Sequence, residues 1–188
     1  MEVKVLKEAG YEEALMGMAF SYKDRALEPE EWWKVQKERA ISRSVKLVPL
    51  GPSHAKFLRQ INIWMIVNAP RSFWSEFDTY KVGTVANSES TMHTLAKRPP
   101  TYSDFEEGTT QKTMDCFIEQ WSELKSDITK LKENLPEGYL QRRMVTMNYE
   151  VVRNIFHQRE DHRYKRWGKF IEQVTEQLEH KEFLDAED

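Results

Sequence analysis

"NYEVVRNIFHQR", residues 148–159, is the stretch on which the reading of this chain turns. Val151, Val152, Ile155 and Phe156, extended backwards through Met144 and Met147, have the spacing of one apolar helix face. At ~100° per residue, Asn148 and Arg159 fall inside that face, about 20° from each other, while Arg153 points away and Asn154 sits on its edge. An amide buried without partners costs about 1–3 kcal/mol, and a guanidinium more. Both groups therefore require partners. Taken alone, Asn148 reads as a buried asparagine that fixes helix register. Two polar groups eleven residues apart on one apolar face point instead to a ligand or a subunit interface.

The chain around this stretch is of ordinary globular make-up. Its 188 residues suffice for one domain, 1–188, with a proper core. Six Trp, seven Tyr and nine Phe argue against disorder. The single cysteine, Cys116, cannot form an internal disulfide, which suits a cytoplasmic setting. No signal-like start and no apolar run of membrane-spanning length is present, so no membrane partner is expected. Net charge is −3, yet residues 139–169 carry eight Lys/Arg against three Asp/Glu. Such a local excess suits an anionic ligand, although a solvated helix face explains most runs of this kind.

Periodicity gives an α+β fold: a mixed sheet built from the 2–7 and 60–68 regions, with long C-terminal helices. "MEVKVLKEAG" alternates as a first strand, and Tyr11, Ala14, Leu15, Met18 and Ala19 space as a helix. A short helix near 29–40 precedes a loop. "KFLRQINIWMIV" turns β-like at Ile61, Ile63, Met65 and Val67, and Pro70 then opens a helix. Gly83 breaks the chain, with a helix after Asn87 capped by Asn87 or Ser88. Met114 to Leu131 form one strong helical stripe that ends before Leu135-Pro136, and Tyr164 to Leu178 mark a final helix. The sequence lacks a phosphate-binding Walker loop, a glycine-rich dinucleotide fingerprint and an HExxH zinc motif. One cysteine and scattered histidines exclude a thiolate metal site.

Leu135-Pro136, then Asn148, six residues to Asn154 and five more to Arg159, resembles the C-terminal part of flavin-dependent thymidylate synthases. There Leu-Pro introduces a helix whose asparagines contact FAD and whose arginine contacts the deoxyuridylate substrate. The remaining order is similar. "VKVLKEAGYEEALM" looks like the family's opening strand and helix, and "HAKFLRQINIWMIVNAP" like its His-containing approach to a strand ending in Ala-Pro. "FDTYKVGTVANSEST" occupies the place of the Arg-His-Arg signature and its downstream Asn and Ser.

The resemblance implies that His54, Tyr80, Asn87, Asn148 and Asn154 contact FAD, and that Arg159, Ser90 and Lys81 contact a pyrimidine nucleotide. It implies no catalytic nucleophile and no metal, with NADPH and methylenetetrahydrofolate as co-substrates. It also implies a homo-oligomer, a tetramer with sites shared between subunits. The trunk of the likeness spans nearly the whole chain, which looks like a short, divergent, phage-borne version of the family. The departures cluster in the signature: Thr79, Tyr80 and Lys81 replace Arg-His-Arg, Ser88 replaces a Glu, and Met92 replaces an arginine that grips the substrate phosphate. Lysine offers phosphate a point charge rather than a bidentate fork.

Three functions therefore compete. The first is flavin-dependent methylation of deoxyuridylate or a close pyrimidine-nucleotide variant, favoured by the Asn–Asn–Arg spacing. The second is a non-catalytic nucleotide- or flavin-binding protein, favoured by the altered signature. The third, a nucleic-acid binder using residues 139–169, is the weakest, because Glu150, Glu160 and Asp161 interrupt any continuous basic face.

Overall fold

The computed structural model describes residues 1–22 and 27–184. In chain order the elements are β1 (Glu2–Ala9), α1 (Tyr11–Ala19), α2 (Pro29–Leu47), β2 (Asn62–Pro70), α3 (Arg71–Phe77), β3 (Thr84–Ser88), α4 (Thr91–Lys97), α5 (Gln111–Leu124), α6 (Ile128–Glu133), β4 (Leu140–Asn148), α7 (Tyr149–Arg159) and α8 (Arg166–Gln177). The fold is α+β, with both expected strands in place. The four strands run in the order β1-β2-β4-β3, and every pairing is antiparallel rather than mixed. A parallel neighbour needs a crossover to the opposite end of the sheet. Here each excursion returns to the end it left: Ala9 pairs with Asn62, Pro70 with Leu140, and Ser88 with Arg143.

Two strands were not expected. Residues 140–148 form β4, the centre of the sheet, so Met144 and Met147 are not part of a helix face. Helix α7 begins only at Tyr149. Residues 84–88, read as a break, form the edge strand β3. The stripe from Met114 to Leu131 is divided between α5 and α6, where Asp127 caps the second helix by accepting the Lys130 amide. Helix α2 runs on to Leu47 instead of ending near 40.

One face of the sheet carries the main core. Ile63, Met65, Val67 and Ala69 of β2 and Val145 and Met147 of β4 are fully buried against the helices. They meet an aromatic cluster of Phe73, Trp74, Phe77, Trp167 and Phe170, in which the Phe73 and Trp167 ring centres are 4.7 Å apart. A second apolar cluster joins Leu95, Phe105, Phe117, Leu131, Leu135 and Tyr139. Along β4 the period of two puts Arg143 on the same face as Val145 and Met147. On the opposite face Trp64, Ile66, Met144 and Thr146 are only half buried, and Val85 beside them is 65% exposed. Among the described residues no helix is long and apolar enough to cross a membrane.

The free edge of β1 is closed by side chains of α8. Gln173 Oε1 accepts the Val3 amide at 2.8 Å. Gln177 accepts the Val5 amide at 3.0 Å and donates to the Val3 carbonyl at 3.0 Å. An open edge invites strand addition, and these amides occupy it. Gln177→Ala is expected to lower unfolding stability by about 1–2 kcal/mol, read by urea denaturation, with faster hydrogen exchange at the Val5 amide.

Candidate functional site

The site is built where β4 turns into α7. Asn148, 9% exposed, has extended backbone dihedrals and is the N-cap of α7: its Oδ1 accepts the Val151 amide at 3.1 Å. Its own amide donates to the Gly83 carbonyl at 3.3 Å. Gly83 has φ +74°, and a Cβ there would lie 2.6 Å from Asn148 Nδ2 and 3.0 Å from Val151. Only glycine lets the loop after α3 press onto the junction so closely. The next residue, Tyr149, is fully buried; its amide donates to the Ile61 carbonyl and its hydroxyl to Glu8. Burial first, and the Glu8 carboxylate second, push that hydroxyl far above the usual tyrosine range.

The partners of Arg159 come from a distant part of the chain. Its Nε donates to the Tyr80 hydroxyl at 2.9 Å, and Tyr80 in turn donates to Gln158 at 3.1 Å. Its Nη1 lies 2.7 Å from His162 Nε2 and 3.5 Å from Glu76 Oε2. The guanidinium carbon sits 4.8 Å from the Trp167 ring centre and 5.7 Å from that of Tyr80. Glu76 itself is held by Trp167 Nε1 at 2.7 Å. Arg159 thus makes a structural ion pair, which the sequence reading did not anticipate. Proximity in sequence offers only Glu160 and Asp161, whereas α3 delivers Glu76 from 83 positions earlier. The pair is long and partly exposed, so its own contribution is small. Arg159 Nη2 makes no hydrogen bond to another described residue, and the side chain is 20% exposed.

A second arginine was missed altogether because the helix face was carried back only to Met144, leaving residues 140–143 without an assigned element. Arg143 extends from the core face of β4 over Trp74, its guanidinium carbon 4.2 Å from the ring centre. It donates to Asp78 at 2.7 Å and to Gln141 Oε1 at 3.3 Å. The signal was available: in a strand, Arg142 and Arg143 point to opposite faces, so one of them must meet the core. Two clefts share Arg143 and Asp78. One of about 430 Å³ adds Tyr80, Lys81, Thr84 and Ala86, and one of about 280 Å³ adds Arg71, Trp74, Thr91 and Lys132.

The other expected ligand residues are scattered. Ser90 caps α4 by accepting the His93 amide at 3.4 Å, the role expected of Asn87 or Ser88. Asn87 is exposed on β3 and pairs with Met144. His54 lies in a cleft of about 380 Å³ with Gly17, Met18 and Gln60. Asn154 lines a separate cleft of about 390 Å³ against Val48, Pro49, Leu50 and Glu150. The structure therefore joins Tyr80 to Arg159 at the C-terminal end of α7 and Gly83 to Asn148 at its N-terminal end, places Lys81 in a cleft with Tyr80, and leaves His54 and Asn154 in clefts of their own.

No protein-family model matches the sequence, and no curated protein matches it. Solved structures do. A crystal structure of the flavin-dependent thymidylate synthase ThyX from Helicobacter pylori, complexed with FAD and dUMP, superposes with a TM-score of 0.73 over 98% of this chain and 98% of its own, at 12% sequence identity. A 2.31 Å structure of the same enzyme with FAD and dUMP gives 0.71 over 98% and 97%, at 14% identity. This chain has the flavin-dependent thymidylate synthase fold. At such identity the likeness lies in backbone architecture, and the chemistry must be read from the residues this chain carries.

The opening puzzle divides in two. Asn148 is accounted for by its cap, and among the described residues its Nδ2 and Arg159 Nη2 make no hydrogen bond. Asn148→Ala is expected to cost about 1 kcal/mol of stability. Asn148→Asp, which keeps the acceptor and loses the amine, should unfold close to the parent in the same urea titration.

Proposed function

We propose that this chain binds a flavin nucleotide and a pyrimidine nucleotide and carries out reductive methylation of deoxyuridylate or a close variant of it. The observation that carries this reading is the full-length likeness of its fold to an enzyme solved with FAD and dUMP. Arg159, Lys81 and Ser90 are assigned to the nucleotide, and His54, Tyr80, Asn87, Asn148 and Asn154 to the flavin. When bound, the reduced flavin supplies the hydride, with methylenetetrahydrofolate as carbon donor and NADPH as reductant.

The cleft at Asn154 offers a fit for the cofactor. Glu150 Oε2 takes Arg59 Nε at 2.8 Å, but Glu150 Oε1 is buried and makes no hydrogen bond to another described residue. A carboxylate oxygen left in that state is costly. The hydroxyls or exocyclic amine of a nucleotide cofactor supply the donors it lacks, and the apolar wall of Val48, Pro49 and Leu50 suits a flat ring. The chain's own work is to hold, orient and desolvate. Arg159 is already fixed by Tyr80 and Trp167, so little side-chain freedom is lost when it meets an anion.

The site is proposed to be completed by a second copy of the chain. The sheet face opposite the core exposes Trp64, Ile66, Met144 and Val85 in part, and Asn87 shares that face through its pairing with Met144. A partner docked there would bring its residues against Asn87 and join what one chain leaves in separate clefts. A tetramer is the expected assembly. Val85→Lys is expected to shift the native oligomer to a smaller species in light scattering with unchanged circular dichroism. A parent protein that is already monomeric at micromolar concentration overturns the shared site.

A second reading, a binding protein without catalysis, is favoured by Thr79 and Lys81 in the signature positions. The two readings share the ligands. Purified protein should be yellow, with flavin absorbance that persists through gel filtration. Deoxyuridylate at a hundred times its Kd should stabilise the fold by about 2.7 kcal/mol. Arg159→Ala should remove that gain, and Arg159→Lys should retain part of it. Absence of both flavin and nucleotide stabilisation overturns the proposal, and thymidylate formation with folate and NADPH separates enzyme from binder.

A further inference from the structure

His162 meets two donors, and a neutral imidazole can accept only one of them. The Tyr164 backbone amide donates to its Nδ1 at 3.2 Å, and Arg159 Nη1 lies 2.7 Å from its Nε2. A guanidinium has hydrogens to give and no lone pair to receive with, and a backbone N–H likewise only donates. With its hydrogen on Nδ1, the ring accepts Arg159 and turns an N–H toward the Tyr164 amide. With its hydrogen on Nε2, the ring accepts the amide and turns an N–H toward Arg159. An imidazolium has no acceptor for either. Each neutral tautomer therefore satisfies one contact, and no protonation state satisfies both.

The other partners of Arg159 do not relieve this conflict. Glu76 Oε2 is 3.5 Å from Arg159 Nη1 and already takes Trp167 Nε1 at 2.7 Å. The Tyr80 hydroxyl accepts Nε, on the other side of the guanidinium, at 2.9 Å. His162 Nε2 is thus the shorter of the two partners of Nη1. The Arg159 side chain is 20% exposed and His162 is half-buried, so an incoming oxygen can reach the pair. Which nitrogen of a histidine carries the hydrogen is set by what the other nitrogen meets.

We infer that His162 is a positioning residue for Arg159: a surrogate acceptor that holds the guanidinium ready and yields it to a ligand oxygen by changing tautomer. The inference rests on the nucleotide-binding reading above for the identity of that ligand, and it adds a residue that the resemblance does not assign. In the first state Nδ1 carries the hydrogen and Nε2 holds Arg159. When an oxygen of the nucleotide takes Arg159 Nη1, one proton leaves Nδ1 and one arrives at Nε2 through solvent, with no change in net charge. The Tyr164 amide then gains its acceptor, and Nε2–H shares the ligand oxygen with Arg159. The bond gained at Tyr164 offsets part of the cost of parting Arg159 from the ring.

The test follows the two imidazole nitrogens of His162 by NMR in the full-length, isotope-labelled protein, in mildly alkaline buffer where a free imidazole is neutral. Without nucleotide the parent should carry the hydrogen on Nδ1, and Arg159→Ala should move it to Nε2. Deoxyuridylate should cause the same move in the parent. By calorimetry His162→Ala should weaken deoxyuridylate about tenfold, and His162→Gln, whose carbonyl can accept Arg159, should restore most of that loss. In an Arg159→Ala background His162→Ala should cost no further affinity, whereas a histidine that served only the fold would cost the same in both backgrounds. A hydrogen found on Nε2 in the parent and unmoved by Arg159→Ala overturns the inference. Deoxyuridylate bound by folded His162→Ala within twofold of the parent overturns it too, and leaves the proposed function intact. A tautomer that moves with Arg159→Ala, in a protein that does not bind deoxyuridylate, supports the positioning role and overturns the nucleotide reading.

Discussion

The rest of the structure depends on the strand-to-helix junction at Asn148. A chain leaving the central strand of a sheet presents the unpaired amides of a helix start inside the core, where water cannot reach them. The Asn148 side chain satisfies one of them at the Val151 amide. The Gly83 carbonyl takes Asn148's own amide, and the Ile61 carbonyl takes that of Tyr149. One buried junction thus locks together β4, α7, the loop after α3 and the segment leading into β2. The orientation of α7, and with it the position of Arg159, follows from those bonds.

On β4 and at the C-terminal end of α7 the chain keeps cations against aromatic faces. Arg159 lies over Trp167 and Tyr80, and Arg143 over Trp74. A guanidinium is weakly hydrated and planar, so it tolerates partial burial on a ring better than an ammonium does. Each is tethered by a partly exposed carboxylate, Glu76 or Asp78, that does not exhaust its donors. The result is pre-set positive charge with some hydrogen-bonding capacity left. That is a sound physical basis for recognising an anion, because the side-chain entropy is lost on folding and not on binding.

The likeness of the whole backbone to a solved structure coexists with only 12% sequence identity. A fold fixes where elements lie, and function depends on what their surfaces carry. Here the helix carrying Asn148, Asn154 and Arg159 keeps the pattern of the resemblance, while the loop at 79–81 and the start of α4 depart from it. Positive charge also gathers nearby, at Arg71 and Arg143, which line one cleft together, and Arg143 lines a second.

The sequence by itself determined the first strand, the strand ending at Pro70, the helices with clean apolar stripes and the family likeness in Leu135-Pro136, Asn148, Asn154 and Arg159. These are local signals: a period of two or 3.6, and spacing along one element. The sequence could not separate β4 from the helix after it, because Met144, Val145 and Met147 suit either a buried strand or a helix face. Along β4 the core side carries Arg143, Val145 and Met147 and the far side Arg142, Met144 and Thr146, so polar and apolar residues fall on both faces and the alternation is masked. Nor could it show that Glu76 would meet Arg159, that Arg143 would lie on Trp74, or that His54 and Asn154 would occupy different clefts. Those contacts join residues tens of positions apart, and they are decided by how the helices pack on the sheet, which no single segment encodes.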